Sequence, residues 1–112
     1  FAGVGIWHPD AVTLRHIRDA LVERSRAWLA ARDDEAFRRH FDLAGDSLKT
    51  APRGYDPQHP LIEDLRRTDF VAVCPFTRRQ VLAADFPDRY ATACRAAASF
   101  VRFLCTALEI PF

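Results

Sequence analysis

The sequence predicts a helix-dominated α+β fold on three observations. Phe70-Val71-Ala72-Val73-Cys74 is a five-residue apolar run rich in β-branched residues, bounded by Asp69 and Pro75, and it reads as a buried strand. Leu14, Ile17, Leu21 and Trp28 fall at helical spacing on one stripe. Tyr90, Cys94, Ala97, Val101, Leu104 and Leu108 step alternately by four and three, a strict helical seam. The expected architecture is a few short strands packed with three or four helices and closed by one long amphipathic helix.

Taken in order, Phe1 to Trp7 alternates small and large residues and reads as a first strand, with Gly3 and Gly5 allowing close backbone approach or a bulge. His8-Pro9-Asp10 punctuates, because Pro9 disfavours helix at the residue before it. Asp10 or Thr13 can cap the helix that follows, which should end near Arg32. Asp33 and Asp34 look like the cap of a second, short helix with Ala36, Phe37 and Phe41 on its inner face. Leu43 to Pro60 holds two of the four glycines and three of the seven prolines, which marks an irregular loop. Leu61 to Arg67 fits two helical turns, and Thr77 caps a single turn through Leu82 after the strand at 70–74. In the closing helix, Phe86, Phe100 and Phe103 widen the apolar face beyond what one neighbour would cover. Pro111 stops it.

Composition bounds the function. At 112 residues the chain supports one domain. Its 16 basic and 15 acidic side chains leave a net charge of +1, too small a field to demand nucleic acid or acidic lipid as a partner. No run approaches the 18 apolar residues that a membrane span requires. There is a single lysine, Lys49, in a chain otherwise rich in arginine, and interleaved acids favour codon usage in a GC-rich genome over a phosphate groove. The dibasic pairs Arg38-Arg39, Arg66-Arg67 and Arg78-Arg79 lie beside acids, and no exposed aromatic series suggests base stacking, so nucleic-acid binding is not expected. Three cysteines (Cys74, Cys94, Cys105) match no metal or redox spacing, and free thiols in a reducing cytoplasm are the expected state. The missing Met at position 1 is read as a chain cut from something longer.

Signals of catalysis are weak. His8, His16, His40 and His59 are scattered and form no metal-ligand pattern, so no metal or other cofactor is expected. Ser25, Ser47 and Ser99 sit in no nucleophile elbow, and Cys94 and Cys105 fall on the core-facing seam, where a thiol is inert. The adjacent carboxylates Asp33/Asp34 and Glu63/Asp64 point apart on a helix and read as caps and solvated faces.

The loop at 49–60 is the most informative stretch. Lys49, Arg53, Tyr55 and His59 are donor-bearing side chains held on a backbone restricted by Pro52, Gly54, Pro57 and Pro60. Convergent donors on a rigid loop suit capture of a small carboxylate or phosphate. The alternative is a structural loop whose arginine and tyrosine tie down its own backbone.

The chain also resembles a known family. Gly3, Gly5, Trp7 and Pro9 match a G-x-G-x-W-x-P pattern. Leu48, Lys49, Pro52, Arg53, Gly54, Tyr55, His59, Pro60 and Leu61 match L-K-x-x-P-R-G-Y-x-x-x-H-P-L. Both are found in the bacterial and fungal domain-of-unknown-function family 2461, and the likeness runs across almost the whole chain. A lysine often found shortly before the apolar strand is replaced here by Thr68. The resemblance implies a family domain about twice this length, of which this chain is the C-terminal half, with an upstream half bearing an Arg-Asp-x-Arg-Phe type motif and further strands. It brings no activity with it.

The leading expectation is therefore a cytoplasmic bacterial protein of unknown function whose loop at 49–60 is structural or binds a small anion. Alternatives are an enzyme whose site is shared with the missing upstream half and an interaction module using the last helix. The expected partners are that upstream half or a second copy of the chain, joined through the first strand or the last helix.

Overall fold

The computed structural model describes residues 2–111. Its elements are β1 (Ala2–Ile6), α1 (Ala11–Glu23), α2 (Ser25–Arg32), α3 (Glu35–His40), β2 (Asp42–Ala44), α4 (Ile62–Leu65), β3 (Phe70–Cys74), α5 (Arg78–Leu82), α6 (Phe86–Ala96) and α7 (Ala98–Ala107). The fold is α+β and helix-dominated, with one small antiparallel sheet in the order β1-β3-β2. Among the described residues no helix is long and apolar enough to cross a membrane.

Side-chain caps set the starts of three helices. Asp10 caps α1 by accepting the Thr13 backbone N–H at 2.7 Å. Asp34 caps α3 by accepting from Phe37 at 3.0 Å. Thr77 and Gln80 form a reciprocal capping box at the start of α5.

Register decides the two faces of the sheet. Ala2 pairs with Cys74, Val4 with Ala72 and Ile6 with Phe70, while Leu43 of β2 pairs with Ala72 on the other side. These residues pack into the core with Trp28, Phe37, Phe100 and Leu104. The alternate set, Gly3, Gly5, Val71, Val73, Asp42 and Ala44, forms the opposite face. Trp28 is the centre of the core, with ring contacts to Phe70, Phe100 and Phe103 at 5.2–6.0 Å between centroids.

Several expectations are corrected. The helix foreseen through Arg32 is broken at Arg24, whose ψ of 47° lies outside the helical region. Ala36 is exposed, and α3 buries Phe37 alone, because six residues present too little arc for a wider stripe. The segment read as an irregular loop from Leu43 takes in the last two residues of β2, and a further isolated bridge pairs Ser47 with Arg67. The two turns expected at 61–67 shrink to the single turn of α4, since the chain must extend again to reach that bridge and β3.

The single closing helix is two helices, α6 and α7, meeting at Ala97, whose N–H is shared between the carbonyls of Ala93 and Cys94. That junction turns the two faces apart: Ala93 and Ala96 are buried, while Tyr90 and Cys94, read as part of the inner seam, are exposed. Cys105 is only half-buried. Phe100 and Phe103 were expected to exceed their cover, yet the break lets them enter the core beside Trp28, leaving Phe86 half-buried against Phe76 and Tyr90. Phe1, the first residue of the expected strand, lies outside the described residues.

Candidate functional site

The loop at 49–60 distributes its four candidate donors instead of gathering them. Tyr55 turns away from the loop and donates its hydroxyl to Asp19 of α1 at 2.6 Å. Partial burial, together with that hydrogen bond and the negative charge of Asp19, pushes the Tyr55 phenol up to about 12. The His59 imidazole Nδ1 accepts the Leu61 backbone N–H at 3.0 Å, so it serves as a cap before α4. Tyr55 and His59 share a shallow depression of about 250 Å³, but its other charged walls are Asp19, Glu23 and Asp56. Lys49 and Arg53 are exposed, outside that depression, and make no hydrogen bond or ion pair to a described residue. The loop's framework is closed by Pro52, which is buried, and by Gly54, whose φ of +89° suits glycine. Pro60 is exposed just ahead of α4.

The first family motif surrounds β1. Gly3 and Gly5 are exposed on the outer sheet face, Pro9 is half-buried, and Trp7 is 57% exposed with its ring edge-on to His8. Gly3, Gly5, Trp7, Val71 and Val73 line an apolar depression of about 380 Å³ on that face. A β-carbon on Gly5 would lie 2.1 Å from the Phe70 carbonyl oxygen, so this position requires glycine.

Two buried carboxylates hold the polar framework together. Asp69 is 1% exposed and accepts backbone N–H groups from His8 at 2.8 Å and Asp46 at 3.0 Å. Those bonds, the one from Asp46 foremost, hold its carboxyl below the usual carboxylate range against the opposing effect of burial. They join the end of β1 to the turn after β2. The neighbouring Thr68 donates its N–H to the Asp46 carbonyl at 2.9 Å.

Asp64 is 3% exposed, contrary to its expected place on a solvated face. Its Oδ2 accepts from the Trp28 indole at 2.8 Å and from Arg32 Nη1 at 2.9 Å, and its Oδ1 accepts from Arg67 Nε at 3.0 Å. Glu63, adjacent in sequence, keeps a side chain that is 84% exposed. Asp64 lies at the wall of a cleft of about 430 Å³ between α2, α3, β2 and α4. The sequence reading missed this carboxylate. A signal for it was present: Trp28 on the apolar stripe of a helix carries an N–H that needs an acceptor once buried.

No group of three or more histidine, cysteine, aspartate or glutamate side chains among the described residues is arranged to hold a metal ion. A family model described as "Conserved hypothetical protein (DUF2461)" matches residues 1–103. No curated protein and no solved structure matches the chain.

Proposed function

Because the chain belongs to this family of conserved hypothetical proteins, whose activity is not established, we propose that it works as an assembly unit whose sheet is completed by a further layer. One observation carries the reading. β1 (Ala-Gly-Val-Gly-Ile) and β3 (Phe-Val-Ala-Val-Cys) contain no polar side chain on either face. An antiparallel sheet with one solvated face ordinarily alternates apolar and polar residues, and this pattern is that of a sheet buried on both sides. The helices cover only the inner face. On the outer face Gly3 and Gly5 leave bare backbone beside half-buried Val73 and exposed Trp7, although Val71 is already buried, and β1 has no strand partner on its outer edge among the described residues.

The occupant we infer is the upstream half of the family domain, whose further strands would extend the sheet past β1 and close over this shelf. In this reading the loop at 49–60 is a strap: Tyr55 ties it to α1 and His59 ties it to α4, and Lys49 and Arg53 remain as its two cations free to meet a small anion. The proposed setting is the bacterial cytoplasm, which accords with thiols that are all unpaired among the described residues.

The test compares this chain with one extended upstream, by light scattering and hydrophobic-dye binding. The expected result is self-association or dye binding by the short chain, lost in the extended one, and restored there by Val73→Lys on the outer face. A monodisperse short chain that binds no dye and is as stable as the extended chain overturns the reading. A sulfate titration addresses the loop separately. Stabilisation that disappears in Lys49→Ala and Arg53→Ala assigns those two an anion, and its absence leaves the strap alone.

A further inference from the structure

We propose that the cleft beside Asp64 is a binding site for a small zwitterion, with the ligand's carboxylate on Arg67 and its ammonium group on Asp42. Arg67 is held at both its side chain and its backbone. Its Nε is pinned by buried Asp64 at 3.0 Å, and its backbone carbonyl accepts from Arg18 Nη2 at 3.1 Å. Arg18 also holds the Leu65 carbonyl at 2.8 Å, so α4 and the residues after it are fixed to α1. The Arg67 side chain is only 21% exposed. Its two terminal nitrogens have no partner among the described residues although they belong to a side chain lining the cleft. A guanidinium oriented by one carboxylate and open at its far edge is arranged to take a second carboxylate in the paired geometry arginine favours.

Arg32 is not equivalent. It spends Nε and Nη2 on Asp33 at 2.9 and 3.1 Å and Nη1 on Asp64. Arg38 gives only Nη1 to Asp33, at 3.4 Å, but its side chain is 68% exposed and held by no buried group, so the open donor edge that the fold fixes in place is that of Arg67.

Charge decides the class of ligand. The cleft is lined by three guanidiniums and four carboxylates. A simple anion entering it meets more negative than positive groups, which disfavours phosphate or sulfate. Of the carboxylates, Asp33 and Asp64 are committed to arginines and Glu63 sits 3.5 Å from Arg66. Asp42, at the start of edge strand β2, makes no ion pair or hydrogen bond to a described residue. The fixed donor edge of Arg67 and the open carboxylate of Asp42, on the same cleft, match a molecule that carries both charges.

The site meets the outer sheet face only at Asp42 and shares no residue with the apolar depression beside Trp7, and its test reads ligand binding rather than assembly. Uniformly 15N-labelled chain is titrated with L-leucine, with 4-methylpentanoate (the same body without the amine) and with 3-methylbutylamine (the same body without the carboxylate), and the Arg67 Nε–H resonance is followed. Leucine should give saturable shifts centred on Arg67 and Asp42. Each single-charge analogue should bind at least about tenfold more weakly, the loss of one charge-assisted contact. Asp42→Asn, on an exposed side chain that the fold does not use, should weaken leucine about tenfold while leaving the folded spectrum intact, and Arg67→Lys should weaken it similarly. No saturable shift from leucine at tens of millimolar overturns the proposal. So does 4-methylpentanoate binding as tightly as leucine, or an unchanged affinity in Asp42→Asn.

Discussion

Trp28 and Asp64, thirty-six positions apart, are joined by a fully buried hydrogen bond of 2.8 Å from the indole N–H to the carboxylate Oδ2. The largest side chain of the core thereby satisfies its one polar atom, and the same carboxylate anchors Arg32 and Arg67 at the surface of the cleft. Core packing and cleft geometry meet in one residue.

Asp64→Ala leaves the indole N–H and two guanidinium contacts without their acceptor, and it should cost about 3–5 kcal/mol in urea unfolding. Asp64→Asn keeps the shape and one acceptor and should cost less, about 2 kcal/mol. Glu63→Ala, one residue away but exposed, should stay within about 0.5 kcal/mol. Equal costs at 63 and 64 would contradict the burial of Asp64.

Asp69 gives a pH dependence with a definite sign. Its backbone hydrogen bonds lower the folded-state pKa below the ordinary 3.8. A lowered carboxylate stabilises the fold above its unfolded value, and that contribution is lost as pH falls through the folded one. The stability gap between the native chain and Asp69→Asn should be full above about pH 5 and should close as the medium is acidified below about pH 4. A gap that does not change with pH would show that the carboxylate's charge is not what matters.

Tyr55 works at the opposite end of the scale. Its phenol is pushed up to about 12 by burial and by Asp19, so the neutral form is favoured in the fold. The associated stability is present below pH 10 and is lost as pH rises from about 10 towards 12. Spectrophotometric titration should show a late-ionising tyrosine that disappears in Tyr55→Phe. The same variant should cost about 1 kcal/mol at neutral pH by releasing the loop from α1.

Gly5 and Gly54 both have positive φ, +116° and +89°, yet substitution should separate them. At Gly5 an added β-carbon strikes the backbone of the neighbouring strand at 2.1 Å, so Gly5→Ala should disrupt the β1–β3 pairing and cost more than about 3 kcal/mol. At Gly54 the added atom meets nothing within 4 Å, and Gly54→Ala should cost about 1–2 kcal/mol from backbone conformation alone. Thermal unfolding of the two variants side by side checks the difference.

What could be read from the sequence was what local chemistry writes. The Phe70–Cys74 strand, the caps at Asp10, Asp34 and Thr77, and the loop around Pro52 and Gly54 all rest on short-range rules, and all are found. β2 escaped because Asp-Leu-Ala is a strand only by virtue of pairing with β3. The closing seam misled because periodicity tells which residues share a face of a continuous helix and carries no information about a junction such as Ala97. In the candidate site, Glu63 and Asp64 look alike as letters. Which of the two is buried depends on where Trp28, Arg32 and Arg67 arrive from the rest of the chain.

That junction can be tested through the thiols. An unbroken helix through Tyr90, Cys94, Ala97 and Val101 would put Cys94 against the core. The observed break exposes Cys94, leaves Cys105 half-buried and keeps Cys74 buried on the inner face of β3, where burial pushes its thiol up. Access and thiolate fraction both control alkylation. Cys94 should therefore react first with a neutral maleimide in the native chain, Cys105 more slowly, and Cys74 only as fast as the fold opens. In urea, the Cys74 rate should rise in step with global unfolding, while the Cys94 rate should change little across the transition. Peptide mass mapping of the labelled chain assigns each site. Protection of Cys94 equal to that of Cys74 would mean that α6 presents its Tyr90–Cys94 face to a covering surface, and the two-helix arrangement of the isolated chain would have to be revised.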